Sequence, residues 1–238
     1  MNDCAWSRLS WIAAWTGSAF YAAGLLLFVR AGAGGGSLVA RAAAHPGWWG
    51  IAYLLHGVAD LLWCLVPLAV WDRMRRSVPN LALLSALAGV AGFFWMAQLA
   101  LARSGGLAFL GALYSSGSPA QQGLAAQLAQ WQQFWVFGGS WEVVADILVF
   151  GAWLGLSGGM IARLLQEAGG KILVMVALIA TISLFAGLVL RLSLRLSYRP
   201  VAASISFPGS VIALVAPLWL LWVAWALRST MPGAAPSA

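Results

Sequence analysis

Six stretches of the chain run for about 20 residues with almost no charge, and that feature limits the fold more than any other. They lie near 9–29, 48–71, 81–102, 140–162, 172–190 and 207–228. A run of that length is what a helix needs to cross a hydrocarbon core about 30 Å thick. Lipid cannot satisfy an open backbone, so each run is expected to be helical. Composition agrees. The 238 residues are 62% hydrophobic and 8% charged, where a soluble domain carries about a quarter charged residues. Mean hydropathy is +0.88. A soluble fold does not have enough polar surface to cover such a chain. The sequence therefore predicts an all-α polytopic membrane bundle of six transmembrane helices. It forms one integral domain over 1–230, followed by a disordered tail over 231–238.

The first apolar run begins after an arginine and ends in small residues, as a signal peptide does. Its length favours a transmembrane helix instead. The net charge is +7. Its arginines sit at the ends of apolar runs, where they meet lipid headgroups. There is no basic, aromatic-interleaved groove sequence, so nucleic acid is not an expected partner. All but one of the 13 basic residues are arginine, the exception being Lys171. With the wealth of Ala, Gly and Trp, this suggests a GC-rich bacterial source and a cytoplasmic-membrane location. If the N-terminus is cytoplasmic, that side holds Arg8, Arg73, Arg75, Arg76, Arg163, Lys171 and Arg228. The other holds Arg30, Arg41, Arg103, Arg191, Arg195 and Arg199. The count is nearly even, and the tight DRMRR loop tips the expectation toward N-inside. Cys4 and Cys64 are not expected to form a disulfide.

Residues 104–139 carry no charge. Within them, Ser118 stands as a helix cap and Pro119 at the first helical position. Leu124, Leu128, Trp131 and Trp135 follow at helical spacing, opposite Gln121, Gln122 and Gln130. An interfacial or re-entrant amphipathic helix is expected near 119–135. Pro217 is expected to kink the last span.

Four ionisable residues fall inside spans: His56 and Asp60 on the second, Glu142 and Asp146 on the fourth. Each pair is four residues apart and shares a helix face. A charge at the bilayer centre costs about 2.5–3.5 kcal/mol even on the lenient scale. The four are therefore expected to turn inward and meet. Three chemistries fit. One is polar glue that fixes helix register. Another is a protonatable site that binds a small cation or molecule, or moves protons. The last is a divalent metal site on the same four residues, with the hydrolytic or redox chemistry that would allow. No other cofactor is expected. Sequences for a bis-histidine haem, a retinal lysine, a nucleophile elbow or a nucleotide loop are missing.

Tyr53, Trp63 and Trp153 are candidates to line a cavity beside this cluster. Gly151, Gly155 and Gly159 form a G-x-x-x-G-x-x-x-G row on the face opposite Asp146, a seam for close helix contact and for other membrane subunits. Arg191, Arg195 and Arg199 repeat beyond the fifth span and are candidates for headgroup or anion contact.

The order of pieces resembles a family of bacterial six-helix membrane proteins known only under a domain-of-unknown-function label. The resemblance rests on HPGWWGIAYLLHGVADLLWCLVPLAVWDRMRR, LYSSGSPAQQGLAAQLAQ and WEVVADILVFGAWLGLSG, and spans most of residues 9–190. It implies a six-helix integral membrane fold and no activity. The functional expectation is small-molecule or ion transport or binding through the His56, Asp60, Glu142 and Asp146 cluster. The alternatives are a non-catalytic subunit of a larger membrane complex that contacts lipid or pigment, and a metal-dependent membrane enzyme.

Overall fold

The computed structural model describes residues 3–32, 37–131, 140–164, 168–193, 211–212 and 214–229. Every regular element among them is helical. In chain order these are α1 (Asp3–Gly32), α2 (Leu38–Ala44), α3 (Pro46–Trp63), α4 (Leu65–Met74), α5 (Pro79–Ser116) and α6 (Pro119–Trp131). After them come α7 (Ser140–Asp146), a π-helical stretch (Ile147–Trp153), α8 (Leu154–Leu164), α9 (Ala168–Ser193) and α10 (Ala216–Ser229). Five continuous stretches are long and apolar enough to cross a membrane: Arg8–Ala31, Pro46–Met74, Pro79–Ser116, Glu142–Arg163 and Gly169–Val189. The last apolar helix is shorter. Its backbone is interrupted at Val215, so Pro217 falls in the first turn of α10 rather than in mid-helix. There its missing N–H costs no helical bond. The tail at 231–238, Trp135, Arg195 and Arg199 lie outside the described residues, as do the side chains of Cys4 and Arg191.

The outer surface is apolar. Leu26, Val29, Phe109, Ile182 and Leu218 are each more than 60% exposed. Helix α9 presents Ile172, Met175, Ile179, Ile182 and Phe185 outward in one stripe at three- and four-residue spacing.

Inside, helices approach through glycines set against large side chains. Helices α1 and α3 run antiparallel. Gly24 receives His56, and Gly17, one heptad away, receives Trp63. A Cβ on Gly24 would lie 2.9 Å from His56 Cδ2, and one on Gly17 would lie 2.5 Å from Trp63 Nε1. Between α3 and α5, Gly57 accommodates Leu101; between α5 and the π stretch, Gly92 accommodates Val149. Close packing of this kind is the main attraction available to helices where lipid removes the hydrophobic drive between them.

The span expected to end at Arg103 does not. Helix α5 continues to Ser116, 38 residues in all, about 57 Å at 1.5 Å per residue. That is almost twice a ~30 Å hydrocarbon core. The excess builds a small cap with α2 and α6. Gly111 of α5 sits on the backbone of Ala42 in α2, and Val39, Leu110, Ala125 and Ala129 share one core. Helix α6 starts as expected. The Ser118 carbonyl accepts from Gln122 N–H, and Gln121 Oε1 reaches back to accept from Ser118 N–H at 2.8 Å, the backbone half of a capping box. Its packed face carries Ala125 and Ala129; Leu124 and Leu128 point outward, 50% and 39% exposed.

A Cβ at position 111 would stand 2.8 Å from the carbonyl carbon of Ala42, and backbone cannot give as a side chain tip can. Gly111→Ala is expected to destabilise the protein by about 1–3 kcal/mol through overpacking, whereas Gly105→Ala, where a Cβ meets nothing within 4 Å, is expected to be neutral or slightly stabilising. Unfolding in detergent, with limited proteolysis between α1 and α3 as a local probe, checks both.

Candidate functional site

The polar side chains of the bundle occupy successive levels along α5, which packs against α3 and α7, with α1 on α3. The uppermost level holds an ion pair that joins α5 to α7. Arg103 Nη1 donates to Glu142 Oε1 at 3.1 Å, and Nη2 donates to Oε2 at 2.6 Å. Arg103 is only 9% exposed, while the Glu142 side chain is half-buried. The planar guanidinium matches both carboxylate oxygens at once, which fixes geometry as well as charge. Its carbon also lies 5.3 Å from the centre of the Tyr53 ring, within cation–π range. Tyr53 is therefore committed to Arg103.

His56 lies on α3 one turn below Tyr53 but faces α1. Its Nε2–H donates to the Tyr21 carbonyl at 3.2 Å; a carbonyl only accepts, so the proton is on Nε2. The ring lies 4.5 Å from the ring of Tyr21 and 4.9 Å from that of Phe28, over Gly24. The structure thus brings His56 to the α1 seam and not against Glu142 or Asp146.

Asp60 lies at about the middle of the Pro46–Met74 stretch and is 4% exposed. Its Oδ1 has no hydrogen-bond partner among the described residues. The charges that reach it are those of Asp146 first and Glu142 second. The same three acids act on Tyr21 of α1. Asp60 and Tyr21 thus both lie within electrostatic reach of Asp146, and Glu142 is held by Arg103.

Below this level the core is aromatic. Phe93 of α5 lies 5.9 Å from Trp63 and 5.5 Å from Trp153, edge-on to both. Both indoles are fully buried, and neither Nε1–H has a hydrogen-bond partner among the described residues. Trp63 and Trp153, expected as cavity lining, are packed core. Asp146 leads straight into the π-helical stretch. There the Leu154 N–H reaches back five residues to the Val149 carbonyl. Wider turns of this kind recur at functional sites. They also change the rotation between Asp146 and the glycine row from the one that 3.6 residues per turn implies. The row itself packs on α9 of the same chain: Gly151 against Thr181, Gly155 against Ala177 Cβ at 3.3 Å, Gly159 beside Val174 Cγ2 at 3.9 Å. Among the described residues no group of three or more His, Cys, Asp or Glu is placed to hold a metal ion.

Two participants were not anticipated. Arg103 reads in the sequence as the charge that stops a span. The signal that it does not is the lack of any proline between Pro79 and Pro119, which leaves one uninterrupted helix available. Tyr21 reads as one more apolar residue of the first span, and no local pattern marks it. Scans of protein-family models, curated proteins and solved structures found no match to this chain.

Glu142→Gln strands a buried guanidinium, and the expected cost is about 2 kcal/mol, between the exposed-pair and buried-pair limits. Replacing both partners, Arg103→Met with Glu142→Leu, is expected to recover most of it, because no charge is then left unpaired. Unfolding midpoints of the two single variants and the double variant, combined in a cycle, measure the coupling.

Proposed function

We propose that this chain is an integral membrane protein with six crossings, α10 and the helical turn before it forming the sixth. The α2–α6 cap stands on one face of the bilayer and the basic DRMRR loop on the other. The contact of Arg228 with Trp11, 5.5 Å from guanidinium carbon to ring centre, supports the sixth crossing, because it brings the end of α10 to the start of α1. The short, arginine-rich DRMRR loop favours its face as cytoplasmic. The outward Leu124 and Leu128 of α6 support its lying along the interface.

Within that frame, Asp60 and Asp146 form a site that takes up a proton or a small monovalent cation, as in a carrier or an ion-binding membrane protein. One observation carries this reading: the Asp60 carboxyl is buried at mid-span, lacks a partner for Oδ1 among the described residues, and feels the charge of a second carboxylate, Asp146. Two buried carboxylates that feel each other's charge repel unless a proton or cation neutralises one of them. Intramembrane acids of this kind mark ion and proton paths. A purely structural network is the second reading, favoured by the Arg103–Glu142 pair and by the fully buried aromatic layer beneath it.

The readings separate in a thermal-unfolding series on purified protein, with Na⁺, K⁺, Li⁺ or acidification as probes. For the ion-binding reading, the wild-type midpoint rises as protons or one of the cations are added. A site occupied at 100 times its dissociation constant adds about 2.7 kcal/mol. Asp60→Asn removes the response and starts from a higher midpoint without ligand, since the repulsion is gone. An identical response in wild type and variant sinks the ion-binding reading and leaves the structural one.

A further inference from the structure

A groove of about 550 Å³ opens where the end of α8, the start of α9 and the start of α5 meet. Leu81, Leu156, Ala162 and Val174 wall it, and Arg163 and Lys171 stand at it. Gly155 and Gly159 form part of its floor, so the cleft exists where side chains are missing. Both cations are exposed. The groove is remote in sequence from the Asp60 level, and nothing in the packing of the described residues requires two cations here.

Its setting says what would fill it. The groove belongs to the apolar exterior. The stripe of Ile172, Met175, Ile179 and Ile182 runs down α9 beside it, and Leu84 and Leu87 continue from Leu81 along α5. Its occupant therefore comes from the bilayer and carries hydrocarbon. At the groove, positive charge sits at the end of one span and the start of the next, which is headgroup level. The same face carries the DRMRR loop, because α5 starts directly after it. Glu167 stands between the two cations in sequence and lies outside the described residues. A volume of this size suits a small ligand or part of a lipid. Basic pockets between membrane helices select anionic headgroups. We propose that this groove is a binding site for one acidic phospholipid, its phosphate between Arg163 and Lys171 and an acyl chain along Leu81, Leu156 and Val174. The site is independent of the ion-binding reading but rests on the membrane reading of the fold.

Native mass spectrometry of the protein in mild detergent, titrated with phosphatidylglycerol, phosphatidylcholine or inorganic phosphate, tests it. Phosphatidylglycerol is expected to add one lipid per chain at a concentration where phosphatidylcholine and phosphate do not. Arg163→Gln with Lys171→Gln is expected to weaken that binding about 25-fold, at about fivefold for each charge removed at the membrane surface. Gly159→Leu keeps both charges and fills the floor, so it is expected to weaken acidic-lipid binding as well. Equal binding of the two lipids, or no loss in the double variant, overturns the proposal. Phosphate binding as tightly as phosphatidylglycerol also overturns it, because the occupant is then a soluble anion. Should Gly159→Leu fail to fold, the charge variant and the lipid comparison still decide.

Discussion

An ionised group taken below the reach of water must be met by another, and much of this structure follows from how each one is met. Arg103 and Glu142 show the rule most directly. The two are 39 residues apart in the chain, and their bidentate contact ties the long helix α5 to the start of the Glu142–Arg163 stretch. Register there is fixed by charge and fork geometry together, since a slide of one residue would break both hydrogen bonds. The cap above and the aromatic layer below are both aligned by that junction. Tyr53 sits against the guanidinium on the upper side of α3, and Gly57 meets Leu101 one turn below.

The remaining polar groups divide by whether they have found such a partner. His56 gives its proton to a helix carbonyl and stacks between Tyr21 and Phe28, which makes it part of the α1 seam. Asp60 has no comparable arrangement. It is buried within reach of the charges of Asp146 and Glu142, with one oxygen unsatisfied among the described residues. A buried polar atom left without a partner costs about 1–3 kcal/mol. That unmet oxygen at mid-span, within reach of the charge of Asp146, is what the ion-binding proposal rests on.

Much of the scaffold was legible from the chain because lipid-length apolar runs and helix caps are local signals. The five long spans, the Ser118–Pro119 start of α6 and the inward turn of Asp60 follow from spacing alone. What was not legible depends on which helix faces which. The reach of α5 beyond Arg103 is hidden because a buried arginine and a terminal arginine look alike until the partner acid is in place. The turn of His56 toward α1 depends on Gly24 of a different span. The glycine row of 151, 155 and 159 was read as a seam, as its spacing dictates, but only the fold reveals that α9 occupies it. The π-helical stretch has no sequence mark, and it shifts the face on which every later residue of α8 lies.

The central claim is that Asp60 carries an exchangeable proton or cation at the heart of the bundle. Difference infrared spectroscopy between about pH 5 and pH 8, on wild type and Asp60→Asn in reconstituted membranes, tests it most directly. The account predicts a carboxylic-acid carbonyl band that changes across this range in wild type and is missing from the variant's difference spectrum. It also predicts that the stabilising cation replaces the proton and removes the band. A wild-type spectrum with no titrating carboxyl and no cation-sensitive change, or the same titrating band in Asp60→Asn, would contradict the account and leave Asp60 a static part of the packing.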